Sequence, residues 1–124
     1  MKKLILIISL FIVTPLFASM PKGVNWYKGT VESAFAKAKV EKKHLFLYWG
    51  AVWCPPCNHI KKKVCTNPLF QKEVKNFVAI YLDGDTERAQ IWGEKLKASG
   101  YPTMLVLDPS GVELMRFPTS INAE

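Results

Sequence analysis

The chain has 124 residues, 49% of them apolar, which suits a single domain with a buried core. Its formal net charge is +7, or +5 once Lys2 and Lys3 are set aside with the leader described next. The lysines are scattered apart from Lys61-Lys62-Lys63, with no arginine-rich or repeated aromatic/basic pattern, which argues against a nucleic-acid-binding role.

The N-terminus reads MKKLILIISLFIVTPLFASM. Two lysines, an apolar run from Leu4 to Val13, a break at Thr14-Pro15 and the small residues Ala18 and Ser19 have the layout of a secretory signal peptide, residues 1–19. A retained anchor is the rival reading, but the apolar stretch of about fifteen residues falls short of the ~20 that a spanning helix needs. The mature domain is then 20–124, with no membrane span after cleavage. Export also changes the meaning of the cysteines, because disulfides persist outside the cytosol. Cys54, Cys57 and Cys65 are too few for a disulfide scaffold, and an odd count leaves one over.

A short strand is expected near Val24–Tyr27. From Thr30, a suitable N-cap, Val31, Ala34, Phe35 and Ala38 mark one face of a helix ending near Lys42-Lys43. The unbroken apolar run HLFLYWGA predicts a strand buried on both faces. A second helix opens at Pro55-Pro56, where first-turn N–H groups have no partner to lose. Its buried face carries Cys57, Ile60, Val64 and Cys65, with His59 and Lys61–Lys63 off that face, and Asn67-Pro68 breaks it. FVAIYLD, Phe77–Asp83, is the next buried strand. Asp85 is read as the N-cap of a helix running to about Ala98, with Gly100 just past its end. TMLVLD at 103–108, the turn PSG at 109–111 and the edge strand VELMRF complete an α/β pattern with a mixed sheet. A hairpin at the end of a sheet leaves a face to cover. A further helix capped by Ser120 or Asn122, in a natural chain longer than Glu124, would do so.

The stretch Trp53-Cys54-Pro55-Pro56-Cys57 carries chemistry. A buried strand delivers Cys54 to a helix N-terminus, whose partial positive charge and free N–H donors favour a thiolate. A free cysteine has a pKa near ~8.5, and such placement lowers it. Cys54 is therefore read as the exposed nucleophile and Cys57, one turn on, as the shielded resolving thiol. Their spacing also permits a Cys54–Cys57 disulfide. Alternatives are half of a metal site or a static staple. Zinc would need two more ligands from Cys65, His44 and His59, with no second pair of the usual kind. Cys65, Tyr48 and Trp49 are read as core, His44 and His59 as solvated. The triple lysine is a solvated face or a means of steering acidic partners. Trp53, beside the nucleophile, is a candidate substrate contact.

FLYWGAVWCPPC, Asp83 after VAIYL, and GYPTMLVLDPSG together resemble the thioredoxin superfamily, over roughly Val24 to Phe117, and in particular its exported bacterial members. The resemblance implies a thioredoxin-like fold, a central mixed β-sheet flanked by helices. It also implies thiol–disulfide oxidoreductase activity in the periplasm, no cofactor or metal, disulfide-containing proteins as substrates, and a membrane or exported thiol reductase as electron donor. Pro102 is then the family's cis-proline, lying against the two cysteines. A cis turn there would present the Tyr101 backbone to an extended substrate segment. Two departures stand out. Tyr48 occupies the place, six residues before the first cysteine, of the family's buried aspartate. The Pro-Pro pair also lacks the histidine found between the cysteines of strongly oxidising relatives, which favours reduction over oxidation. A reading from another class makes the chain a thioredoxin-like binding module at the head of a longer protein, its disulfide static or partner-holding.

Overall fold

The computed structural model describes residues 20–118; the expected signal peptide and the expected Ser120 or Asn122 cap lie outside them. The elements in order are α1 (Val31–Glu41), β1 (His44–Gly50), α2 (Pro55–His59), which continues as a π-helical turn over Ile60–Val64, then α3 (Pro68–Val74), β2 (Phe77–Asp83), α4 (Glu87–Lys95), β3 (Thr103–Leu107) and β4 (Glu113–Arg116). The strands form one mixed sheet in the order β2-β1-β3-β4. β1 and β2 run parallel with Tyr48 opposite Tyr81, while β1 and β3 are antiparallel with Trp49 opposite Thr103.

The apolar run in β1 follows from its central place. Leu45, Leu47 and Trp49 face one layer, packed on Val31, Ala34 and Ala38 of α1 and Ala89 of α4. Phe46 and Tyr48 face the other, against Trp26, Ile60, Cys65 and Val74. Helices thus cover both faces, the α/β architecture the strand–helix alternation predicts. α1 starts where Thr30 Oγ1 accepts the Ser33 N–H at 3.0 Å. It ends at Lys42, which adopts a left-handed φ of 54°.

Four local expectations change. Val24–Tyr27 forms no strand: the Trp26 N–H is spent on the Val24 carbonyl at 3.0 Å and its indole on the Pro21 carbonyl at 2.7 Å. A single backbone bond, Tyr27 N–H to Ala79 O, reaches β2. Asn67-Pro68 ends one helix and also begins another, α3. Asn67 Oδ1 accepts the Leu69 N–H at 2.9 Å and Pro68 takes the first turn, where a missing N–H costs nothing. α4 is capped by Thr86, not Asp85, and stops at Lys95, not Ala98, with a left-handed residue at Lys97. β4 is the edge strand expected, yet all four of its residues are exposed, so its alternating pattern buries no side chain. Among the described residues, no helix is long and apolar enough to cross a membrane.

Candidate active site

At the end of β1 the chain passes through buried Ala51 and exposed Val52 and Trp53 to Cys54. Cys54 is the N-cap of α2: its backbone is extended, and its Sγ accepts the Cys57 N–H at 3.2 Å. Pro55 and Pro56 fill the first helical positions. A disulfide joins Cys54 to Cys57 across a Cα–Cα separation of 5.2 Å. The sulfurs share a small apolar cluster with Ala51, against which Tyr101 packs.

The expectation of an exposed Cys54 needs correcting for this state. Cys54 is only 3% accessible and Cys57 fully enclosed. With the disulfide formed, Cys54 Sγ is turned inward, bonded to Cys57 and facing its N–H, while the flanking Val52, Trp53, Pro55 and Pro56 take the solvent positions.

The Tyr101–Pro102 peptide is cis, and Pro102 is buried. The Tyr101 ring stacks on Trp49 at 4.2 Å and meets the edge of Trp53 at 5.3 Å. Its hydroxyl donates to the Gly84 carbonyl at 3.4 Å and accepts from Gln90 Nε2 at 3.0 Å. Trp53 is 60% exposed, yet its orientation is set. Its indole N–H donates to both Asp85 carboxylate oxygens, at 3.0 and 3.2 Å. Sequence reasoning gave Asp85 to a helix cap and missed this contact, and assigned Gln90 nothing. Only the folded packing reveals either role, the β2–α4 loop against Trp53 for Asp85 and α4 against Tyr101 for Gln90.

Tyr48 lies beneath α2, its hydroxyl 3.5 Å from the Cys57 carbonyl oxygen and its ring stacked on Tyr81 at 5.4 Å. Burial, more than the neighbouring Cys65 and Tyr81, drives its phenol well above the usual tyrosine range. Tyr48 is thus a neutral group where the family has a carboxylate. The Tyr81 hydroxyl is buried without a hydrogen-bond partner in the structure. Burial pushes the Cys65 thiol up to about 11, with Lys61 pulling the other way, so this third cysteine stays protonated within the core. Lys61 departs from its neighbours. It is half-buried, with its ammonium 5.8 Å over the Tyr81 ring, while His59, Lys62 and Lys63 face solvent. His44 is exposed at the start of β1. Among the described residues no three His, Cys, Asp or Glu side chains come together as a metal-ligand set.

A thioredoxin-like family model matches residues 25–109, most of the folded domain. The chain belongs to the thioredoxin-like family. No curated protein sequence matches it. Among solved structures it resembles a thioredoxin from Thermus thermophilus, 24% identical over 78% of this chain and 76% of that one, with a TM-score of 0.68. It also resembles a candidate disulphide-isomerase from Bacteroides thetaiotaomicron, 26% identical over 84% and 87%, TM-score 0.70. A DsbH oxidoreductase is 17% identical over 88% and 84%, TM-score 0.68. A thioredoxin-like fold with a Cys-x-x-Cys pair capping a helix supports thiol–disulfide oxidoreductase chemistry in general.

Proposed function

We propose that this thioredoxin-like chain is an exported oxidoreductase that reduces protein disulfides by dithiol exchange through Cys54 and Cys57. The observation that carries the reading is the Cys57 N–H directed onto Cys54 Sγ at the start of α2, a donor that would hold a thiolate there. In the reduced protein, the Cys54 thiolate attacks one sulfur of a substrate disulfide. A Cys54–substrate disulfide forms and the other substrate sulfur leaves as a thiolate, taking up a proton. Cys57 then loses its proton and attacks Cys54 Sγ. The intramolecular disulfide seen here forms, and the second substrate thiol is released. Two electrons have passed to the substrate. A membrane or exported thiol reductase is the proposed donor that returns them. Tyr101, which packs against the cysteine cluster, its cis neighbour Pro102, and Trp53, exposed beside Cys54 in the chain, are the proposed substrate contacts. The N-terminal sequence supports export to the periplasm, and the exchange requires no metal or organic cofactor.

The reading is tested by reducing insulin with the parent and two variants. Cys54→Ser should abolish turnover. Cys57→Ser should also block it, while accumulating mixed disulfides on Cys54; equal trapping by both variants contradicts these roles. A redox titration in glutathione buffers should place the pair nearer the reducing end of the family range, about −270 mV, than the oxidising end, about −120 mV. The low accessibility of Cys54 favours a second reading, a binding module with a static disulfide. In that case the reduced Cys54 thiol would alkylate slowly and only around pH 8–9, as an ordinary thiol of pKa ~8.5 does, instead of rapidly below pH 7.

A further inference from the structure

The helix that carries the cysteines presents one face to solvent, and its charge is of one sign. Cys57, Ile60 and Cys65 are buried, and Lys61 is drawn inward over Tyr81. His59, Lys62 and Lys63 are left exposed together on the outer face. Among the described residues, neither Lys62 nor Lys63 makes an ion pair. Eight residues separate Cys54 from Lys62, about 12 Å at the helical rise. That exceeds the Debye length of ~8 Å at physiological ionic strength but lies well inside the ~30 Å at 0.01 M, so the field acts mainly at low salt.

The opposite rim is mixed in sign. Asp85 holds the Trp53 indole, and exposed Glu87 and Arg88 follow at the start of α4. α4 packs on the other face of the sheet from Ile60 and Cys65. The helix face is therefore the one beside the disulfide whose exposed charge is of a single sign, with exposed Val52 and Trp53 as an apolar anchor next to it. A partner segment reaching Cys54 meets an uncompensated positive field on the helix side. On the Asp85 side the carboxylate is already engaged by the indole.

We propose that the exposed face of the active-site helix, Lys62 and Lys63 with His59 beside them, is a docking surface for partner proteins whose disulfide is flanked by acidic side chains. The inference rests on the thiol–disulfide reading above and adds the class of substrate. Charges of one sign beside a reactive group raise encounter rates with oppositely charged partners by tenfold or more at low salt, and the effect fades with ionic strength.

The experiment uses two synthetic peptides of one sequence, each closed by an internal disulfide. One carries aspartates beside its cysteines, the other lysines. Pre-reduced protein is mixed with each, and the second-order rate of disulfide reduction is measured from about 0.01 M to about 0.5 M ionic strength. The acidic peptide should react about tenfold faster at the low end, with the two rates converging at the high end. In the Lys62→Glu/Lys63→Glu double variant the ratio of the two rates should reverse. Both substitutions are on exposed positions, and the within-protein ratio cancels any change in thiol reactivity. Equal rates for the two peptides, or an acidic preference that the double variant keeps, overturns the docking surface. Hydroxyethyl disulfide, small and uncharged, separates the two levels. If the parent reduces it but shows no charge preference, only the docking proposal fails. If the parent does not reduce it, the thiol–disulfide reading fails and the docking proposal with it.

Discussion

Replacing Cys65 with alanine should change the pH dependence of stability, with a sign and window that the structure defines. The thiol is buried beside Tyr48 and Lys61, and burial raises its pKa from an ordinary 9.0 to about 11. The folded protein therefore keeps this proton over a range where the unfolded chain has lost it. The stabilisation is fully present below pH 9 and is lost as the pH rises towards 11. A rise of about two units corresponds to roughly 3 kcal/mol. Near neutrality Cys65→Ala should cost about 1 kcal/mol for lost packing. By pH 11 that deficit should have vanished or changed sign. Tyr48 and Tyr81 are also raised by burial, and both proteins contain them, so their losses cancel in the difference apart from the smaller part of the Tyr48 shift that Cys65 itself causes. The measurement is urea unfolding of both proteins from pH 7 to 11 in a Cys54→Ser/Cys57→Ser background, under reducing conditions, so that no disulfide exchange intervenes. Adding Lys61→Met to both arms removes the cation that opposes the shift, and the swing should grow. A stability difference that stays constant across this range would refute the reasoning.

Gly84→Ala should destabilise the active-site rim. A Cβ there would run into the Tyr101 ring, which is held against Trp49 and Trp53 and has nowhere to yield, so a loss of about 1–3 kcal/mol in urea unfolding is expected, together with slower reduction of protein disulfides. Asp85→Ala should release the Trp53 indole: its N–H should lose solvent-exchange protection by about five- to tenfold, the equivalent of a hydrogen bond worth roughly 1 kcal/mol, while the Trp49 N–H, bonded to the Ala89 carbonyl, is unaffected. Asn67→Ala should remove the cap of α3 and cost about 1 kcal/mol by the same unfolding assay, with disulfide reduction nearly unchanged. Leu47→Ala, at a fully buried central position of β1, should cost about 2–5 kcal/mol.

What the sequence reveals, and what it hides, divides along the range of the forces involved. β1, β2 and β3 are legible because a strand enclosed on both faces must be apolar throughout, and that constraint is written residue by residue. α1 is legible because Val31, Ala34 and Ala38 face the core at helical spacing. The failures are of two kinds. Some are ambiguous local signals: Asn67-Pro68 stops one helix and caps the next, and Asp85 and Thr86 are both good N-caps, of which the fold uses Thr86. Others are set by contacts absent from any window of sequence. Val24–Tyr27 has strand-forming residues, but the Trp26 backbone and indole are bound within their own loop. Lys61, Lys62 and Lys63 look equivalent in the chain. Only the turn of the helix over Tyr81 draws the first inward and leaves the other two outside.

The site shows the same division. The Cys54–Cys57 pair, its helix start and the preceding buried strand are local features, and the motif contains them all. The orientation of Trp53 is not local, because it depends on Asp85, thirty-two residues away and brought near by the β2–α4 loop. Tyr101 reaches the disulfide from still further along the chain, pinned by Trp49 on one side and by Gly84 and Gln90 on the other. These distant supports pack beside a disulfide that is almost closed to solvent. With the sulfurs so enclosed, the docking proposal leaves discrimination to the exposed groups beside them, the apolar Trp53 and the positive helix face of Lys62 and Lys63.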